Sequence, residues 1–193
     1  MTDTKQDPIL AAMAASVTGW GADRFTIADP VIKVVITDPR VSQDDLPVAH
    51  TSESAGLDLR AYPREPDGLP NSRGSFALES ITLLPGEQML VSTGLRVWIN
   101  KPGYAGFMFA RSGMGVRGLV LGNGTGVIDS DYQGDLKMCL WNRGDAPITI
   151  NAGERVAQLV IMPVMTGYKM EVVDAFDAET ERGTGGFGST GSK

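Results

Sequence analysis

The sequence contains very little cysteine and histidine, and this excludes several familiar kinds of functional site. Its single cysteine, Cys139, cannot form a disulfide within the chain, which fits a reducing compartment. Cys139 falls in an apolar run, so we expect a buried structural thiol and not a nucleophile. The one histidine, His50, lies in a polar stretch. A histidine-based triad, a histidine-rich metal site and a zinc-binding cysteine cluster are therefore excluded, and catalysis has to use carboxylates, hydroxyls, arginines and a hard metal ion.

Positive charge and long apolar runs are also scarce. The chain has 17 Lys and Arg against 23 Asp and Glu, a net charge of −6, which argues against general binding to nucleic acid or anionic membranes. A polyanion would need a local arginine cluster or a metal ion. The apolar run at residues 9–17 is too short to span a bilayer, and the first residues are acidic where a targeting signal would be basic. We expect a cytoplasmic protein without a membrane or nucleic-acid partner.

Glycine and proline, in contrast, are plentiful and evenly spread. The 24 Gly and 11 Pro separate many short apolar runs, which favours an all-β fold rich in turns. A sandwich, jelly roll or barrel of 193 residues fits one domain with extra arms. Turns are predicted at residues 85–86 and 93–94, among others. The predicted strands cover residues 31–36, 56–61, 81–84, 88–91, 95–99, 104–110, 119–121, 136–141, 148–150, 155–164 and 168–173.

Both ends of the chain differ from this β region of residues 31–174. Residues 1–30 contain a short alanine-rich stretch after Asp7 and Pro8, which predicts a capped helix that needs a surface to pack on. We interpret these residues as an extension, with a partner-binding or oligomer-contact arm as the alternative. The tail of residues 175–193 is rich in glycine and is either disordered or a lid. In a lid, Phe187 would stack on a ring and Arg182 would clamp a phosphate.

Three places in the β region have residue types that suit chemistry on a phosphate. Residues 122–134 predict a strand, an irregular glycine-rich hairpin and a return strand, with Asp129 at the tip. Partial burial would let Asp129 act as a general base on water, although a structural turn is the commoner reason for such a carboxylate. Arg111 and Ser112 offer a bidentate phosphate ligand with a hydroxyl, or simply a surface turn. Gln158 interrupts an apolar strand and either faces outward or donates to a phosphate.

Together these pieces form an ordered set that resembles the five motifs of trimeric deoxyuridine triphosphatases. Any one motif is weak, since Gly122-x-Gly124-x-Gly126 without a βαβ unit is a poor dinucleotide signal. Five in order are specific. The motifs lie at residues 55–59 (AGLDL), 111–113 (RSG), 122–134 (GNGTGVIDSDYQG), 153–158 (GERVAQ) and 182–188 (RGTGGFG).

The resemblance implies an all-β, distorted jelly-roll-like barrel that forms homotrimers with shared active sites. It implies hydrolysis of dUTP to dUMP and pyrophosphate, which limits uracil incorporation into DNA. Asp129 would activate the water that attacks the α-phosphorus. Mg²⁺ would be the cofactor, bound by the triphosphate, and Asp58 would reach it through water. The implied substrate-binding residues are Arg111, Ser112, Gly113, Asn123, Val127, Ile128, Tyr132, Lys137, Gln158, Arg182, Phe187 and Gly188.

Their implied roles divide by the part of the nucleotide. Asn123, the backbone at residues 127–128 and main-chain atoms at Lys137 would hold the uracil and deoxyribose, and Tyr132 would exclude a 2′-hydroxyl. Residues 111–113 and Gln158 would bind phosphates from a neighbouring subunit. The tail would close from another subunit.

Two features depart from the family pattern, and two alternative functions remain open. The link at residues 114–118 is one residue shorter than the family commonly has, and the loop at residues 63–75 is longer. A related dCTP deaminase would share the fold, but it needs a glutamate base where this chain has Asp129. A binding or regulatory protein could instead keep the nucleotide pocket and act through residues 1–30.

Overall fold

The computed structural model of the chain describes residues 31–65 and 76–186. The predicted helix within residues 1–30, most of the loop at residues 63–75, and the predicted site residues Phe187 and Gly188 lie outside the described residues. No helix in the described ranges is long and apolar enough to cross a membrane.

The regular secondary structure of the described chain is almost entirely antiparallel strand, so the all-β prediction is confirmed, while the jelly-roll topology stays a prediction. One sheet has the order β1-β4-β8-β6, a second has the order β2-β10-β5-β7, and β3 pairs with β9. A 3₁₀ turn covers Gln43–Asp45, and a short helix, α1, covers Ser112–Val116. The strands are β1 (Lys33–Ile36), β2 (Leu57–Arg60), β3 (Ser80–Leu83), β4 (Gln88–Trp98), β5 (Tyr104–Ala110), β6 (Leu119–Leu121), β7 (Gly126–Asp129), β8 (Asp135–Asn142), β9 (Ile148–Asn151) and β10 (Arg155–Pro163).

Strand β8 shows how the sequence pattern produces the core. Its side chains alternate between buried and outward positions, so Leu136, Met138 and Leu140 face the interior. Burying one such side chain contributes about 2 kcal/mol, which makes this register hard to shift. Cys139 lies between two of them on the outer face and is half-buried, so the prediction of a buried thiol is wrong.

Strand β4 is a single strand of 11 residues, so the predicted turn at residues 93–94 is wrong. Gly94 does adopt a positive φ of 69°, but it produces an irregularity in the pairing with β8 between Ser92 and Arg96 and not a reversal of the chain. A Cβ at Gly94 would lie 2.6 Å from Val41 and 2.9 Å from Asp38. Glycine is needed there for both backbone angle and space.

The strand predicted at residues 168–173 is absent, because this segment has no pairing partner within the described chain. Its alternating apolar side chains lie in solvent, with Tyr168 66% exposed, Met170 88% and Val172 98%. These apolar side chains therefore form an exposed row that the described chain does not cover.

A buried ion cluster joins the segment after β1 to the segment after β2. The Asp38 side chain is fully buried and accepts hydrogen bonds from the guanidinium groups of Arg40, at 2.8 Å, and Arg64, at 3.1 Å. Arg40 also donates to the carbonyl oxygens of Leu78 and Pro63. The hydrogen bonds from Arg40, aided by Arg64, outweigh burial and lower the pKa of Asp38 to about 2.

Candidate functional site

One cavity of about 360 Å³, here called the hairpin cavity, gathers six of the predicted site residues: Asn123, Val127, Ile128, Asp129, Tyr132 and Lys137. Residues 122–134 are not a simple irregular hairpin, because they contain a strand of their own, β7, which pairs with β5 in the other sheet. A Cβ at Gly126 would lie 3.2 Å from the Cβ of Met108, its register partner. Glycine at 126 therefore allows β7 to lie close against β5, with the buried Met108 side chain lining the cavity.

The turn at residues 130–134, here called the Tyr132 turn, is held in one conformation by several hydrogen bonds. The backbone N–H of Tyr132 donates to the Asp129 carbonyl at 3.1 Å, and its phenol donates to the Asp135 carbonyl at 3.0 Å. The ring lies directly against Gly134, where any Cβ would collide with it. This packing explains why the aromatic residue is followed by glycine two positions later.

Asp129 is the last residue of β7 and lies opposite Ala105 of β5. The expectation of partial burial is wrong for the single chain, where Asp129 is exposed at the edge of the hairpin cavity. An exposed carboxylate on a strand end keeps a defined position through its backbone ladder. It can therefore face a bound molecule without being enclosed by its own chain.

A second cavity of about 290 Å³, here called the arginine cavity, brings together the predicted residues Asp58, Arg111, Ser112 and Gln158 with His50, Ser54, Ala55 and Gly56. Arg111 is the last residue before α1, so the predicted turn at 111–113 is the start of a short helix. Gly113 and Arg182 line neither cavity. Both are exposed, and Arg182 donates to the Gly185 carbonyl at 3.1 Å.

Asp58 is the centre of a cationic cluster in the arginine cavity. Its Oδ1 accepts from Arg111 Nε at 2.8 Å, and its Oδ2 lies 3.1 Å from Arg155 Nη1 and 2.9 Å from His50 Nε2. Burial alone would raise the pKa of Asp58, but the hydrogen bond with His50 and the charges of Arg111 and Arg155 lower it below its usual value. The carboxylate is therefore ionised and holds two guanidinium groups at the cavity.

The sequence interpretation missed His50, which lines the arginine cavity, and Arg155, which contacts Asp58 beside it. His50 lines the arginine cavity, and its Nε2 lies 2.9 Å from Arg155 Nη1 as well as from Asp58. The register of β10 with β2 places Gln158 opposite Asp58, and the pairing is irregular between Arg155 and Ala157. Arg155 belongs to the same short motif as Gln158, and this motif could have indicated that Arg155 lies near the cavity. Nothing in the polar stretch around His50 indicated that it would reach the cavity.

The Gln158 side chain lies so close to Gly56 that no larger residue fits at position 56 without moving it. A Cβ at Gly56 would collide with the Gln158 side-chain oxygen. The Gln158 Nε2 donates to the Ala110 carbonyl at 3.2 Å, the residue just before Arg111. Gln158 lies between the buried Ala157 and Leu159 on the outward face of β10, as one of the two interpretations expected, and it lines the arginine cavity from there.

The side chains that line the arginine cavity are too few to hold a metal ion by themselves. They suit a metal ion that is already bound to a ligand such as a phosphate. Across residues 31–65 and 76–186 no group of three or more His, Cys, Asp or Glu side chains is placed to hold a metal ion. Asp58 is the one carboxylate among the described residues that line the arginine cavity. A carboxylate has about four acceptor positions, and three are used by Arg111, Arg155 and His50, which leaves one on Oδ1 for a metal-bound water. Mg²⁺ bound mainly by phosphates needs no more than this from a protein.

The two cavities share no lining residue, and the hairpin cavity extends along β5 from the Asp129 end to Met108, three residues before Arg111. Asp129 pairs with Ala105, and Arg111 comes six residues later. At roughly 3.3 Å per residue, their backbones are about 20 Å apart along the strand. Asp129 and Arg111 of one chain therefore lie at different positions along the same strand.

The chain is similar to one family of known proteins. A protein-family model described as dUTPase matches residues 76–191. The deoxyuridine 5′-triphosphate nucleotidohydrolase of Pseudomonas putida (strain W619) is 48% identical over 163 residues, covering 83% of this chain and 97% of that protein. The protein of the same name from Janthinobacterium sp. (strain Marseille) is 51% identical over 162 residues, with the same coverage.

Solved structures are also similar. The dUTPase of Staphylococcus bacteriophage 80alpha, solved as a point mutant with dUpNHpp, has a TM-score of 0.67 and 25% identity, covering 83% of this chain and 98% of the phage chain. A mutant dUTPase from phage phi11 of S. aureus, described as coordinating a structural Mg(II) ion, has a TM-score of 0.60 and 23% identity, with 77% and 99% coverage.

Proposed function

The chain belongs to the dUTPase family and hydrolyses dUTP to dUMP and pyrophosphate, and we propose that its two cavities divide this task between the nucleoside and the phosphates. The observation that carries the proposal is that ten predicted site residues collect into two cavities, six in one and four in the other. Removal of dUTP limits uracil incorporation into DNA.

The hairpin cavity holds the uracil and the deoxyribose. Asn123 and the backbone of Val127, Ile128 and Lys137 pair with the uracil edge. Backbone groups discriminate by their donor and acceptor pattern, so the amino group of cytosine would meet another donor. Tyr132, fixed by its bond to the Asp135 carbonyl, packs beneath the sugar and leaves no room for a 2′-hydroxyl.

Asp129 accepts the proton of a water that attacks the α-phosphorus. The carboxylate is the only acidic side chain of β7 and borders the hairpin cavity. A general base of this kind needs to be ionised at neutral pH and to stand within hydrogen-bond reach of the water. Its exposed position in one chain fits a site that is completed by groups from another chain.

The arginine cavity binds the phosphates through Arg111, the Ser112 hydroxyl and the amide of Gln158, and the backbone of Gly113, just outside the cavity lining, would donate a further hydrogen bond. Asp58 orients the Arg111 guanidinium, which suits a bidentate contact with phosphate oxygens. Mg²⁺ carried by the triphosphate would neutralise part of its charge, as phosphoryl transfer generally requires. Asp58 would contact the metal through water with its remaining acceptor position.

We propose that the hairpin cavity of one copy works with the arginine cavity of another, within a homotrimer. Asp129 and Arg111 are about 20 Å apart along β5, and this separation favours a site that takes the two residues from different copies. The exposed apolar segment at residues 168–173 provides surface for contacts between copies. A symmetric assembly that repeats such a contact around an axis would complete every site equally.

The tail of residues 175–193 is proposed as a lid, distinct from the β domain of residues 31–174. The described part of this tail carries the exposed Arg182, which would reach a γ-phosphate, and Phe187 would stack on the uracil. Residues 1–30 are proposed as a separate extension. We expect a cytoplasmic enzyme that binds neither membrane nor nucleic acid directly.

A pyrophosphate-release assay with dUTP, dCTP, dTTP and UTP tests this function. We expect dUTP to be hydrolysed at least about 100 times more efficiently than the others, because a site with buried hydrogen-bonding groups rejects ligands that leave them unpaired. Chelation of Mg²⁺ is expected to lower the rate. A chain that ends at residue 181 is expected to be about 100-fold slower while it melts at the same temperature.

Release of ammonia from dCTP would instead support the deaminase alternative. Equal rates with all four nucleotides would contradict the proposed role of the hairpin cavity. A fully active truncated chain would remove the lid from the mechanism.

A further inference from the structure

The Tyr132 turn lies where the ladder between β4 and β8 is interrupted. The two strands pair regularly as far as Ser92 and Lys137, and the next pair is Arg96 with Asp135. The turn itself, at residues 130–134, precedes β8 and forms no strand pairs with β4. Its position therefore depends on individual hydrogen bonds and not on sheet pairing.

Three donors from β4 and the residues that follow it replace the missing ladder bonds. The buried Thr93 hydroxyl donates to the Leu136 carbonyl at 2.8 Å. Arg96 Nε donates to the Gln133 carbonyl at 2.7 Å, and the Asn100 N–H donates to the Ser130 carbonyl at 2.8 Å. The last two bonds hold the turn on either side of Tyr132.

Arg96 supplies a side-chain bond to the turn itself. A bond from a guanidinium to a carbonyl is charge-assisted and stronger than a neutral one. Arg96 forms no ion pair in the described part of the chain, so this bond is not shared with a carboxylate. Arg96 also lines a separate cavity, with Lys33, Trp98 and Gln133, and it does not line the hairpin cavity. Arg96 therefore holds the turn at Gln133 without belonging to the lining of the hairpin cavity.

We propose that Arg96 is a positioning residue that sets the discrimination between deoxyribose and ribose by fixing the Tyr132 turn. The proposal rests on the proposed role of Tyr132 at the sugar. When the bond to Gln133 is lost, the turn remains attached at Ser130 and through the Tyr132 phenol, so it loosens without unfolding. A looser turn gives the 2′-hydroxyl of UTP the space that Tyr132 otherwise denies.

The test compares kcat/KM for dUTP and UTP in the wild type and in Arg96→Ala. We expect the dUTP-to-UTP ratio to fall about tenfold in the variant, the effect of one charge-assisted hydrogen bond. The melting temperature is expected to change by less than about 3 °C, because the bond lies on the surface. Arg143→Ala is the matched control: it removes the same charge from an exposed arginine that forms no side-chain bond among the described residues, and its ratio is expected to match the wild type.

An unchanged ratio in Arg96→Ala would overturn the proposal. So would an equal loss with both nucleotides together with a lower melting temperature, since that would make Arg96 a structural residue. Failure of the proposed function is distinguishable, because the wild type itself would then show no preference for dUTP.

Discussion

The Asp129→Asn variant is expected to release pyrophosphate from dUTP about 1,000 times more slowly than the wild type, the loss typical of removing a general base. An amide has nearly the same shape as the carboxylate but cannot accept the proton of the attacking water. The dUTP dissociation constant, measured by calorimetry with the non-hydrolysed analogue dUpNHpp, is expected to stay within about threefold, because the backbone and Tyr132 contacts remain.

Asp131→Asn is the matched control for this variant. Asp131 is exposed two residues beyond Asp129, carries the same charge and lines neither cavity. Its turnover is expected to stay near that of the wild type. An equal loss of binding and turnover in Asp129→Asn would mean that Asp129 supports the hairpin and does not activate water.

The Asp38→Asn variant is expected to lose about 3 kcal/mol of unfolding free energy at pH 7, because it leaves two partly buried guanidinium groups without their counter-ion. Asp38 is fully buried and bonds both Arg40 and Arg64. Urea unfolding followed by tryptophan fluorescence measures the change. Asp44→Asn, which removes an exposed carboxylate on the neighbouring 3₁₀ turn, is expected to change stability by less than about 0.5 kcal/mol.

The pH dependence of the unfolding free energy, compared between the wild type and Asp38→Asn, gives an independent check. The pKa of Asp38 is about 2 in the folded chain against an ordinary value of 3.8. A lowered pKa stabilises the folded state above the unfolded pKa, and the benefit disappears as the pH falls through the folded pKa. The stability difference between wild type and Asp38→Asn is therefore expected to shrink by about 2 kcal/mol from about pH 4 to about pH 2. A difference that does not vary with pH would contradict the buried ion cluster.

Most of the strands could be predicted from sequence because their side chains alternate against a single core. Strand β8 was predicted as a strand, but its continuous apolar run at residues 138–141 did not show that Met138 and Leu140 face the core while Cys139 faces outward. Residues 168–173 show the same alternation but form no strand, because a strand also needs a pairing partner. An alternating pattern indicates which face of a segment is apolar. It does not indicate what packs against that face.

The candidate site residues could be predicted only where they belong to short sequence motifs. Arg111, Gln158 and Asp58 were found this way, and they do meet in one cavity. His50 was missed because its contact with Asp58 joins the loop before β2 to the strand itself, which no local pattern records. The burial of Asp129 was overestimated because the apolar residues before it belong to β7, whose last residue is open to solvent in one chain.

The most direct test of a site shared between copies is to mix two inactive variants, Asp129→Asn and Arg111→Ala, after unfolding and refolding them together. If each site joins the hairpin cavity of one copy to the arginine cavity of another, random assembly restores about a quarter of the sites, because half of the copies carry each intact cavity. We therefore predict recovery of about a quarter of the wild-type rate of pyrophosphate release from dUTP, with neither variant active when refolded alone. No recovery, in a mixture shown by mass measurement to contain both chains in one assembly, would contradict a site shared between copies.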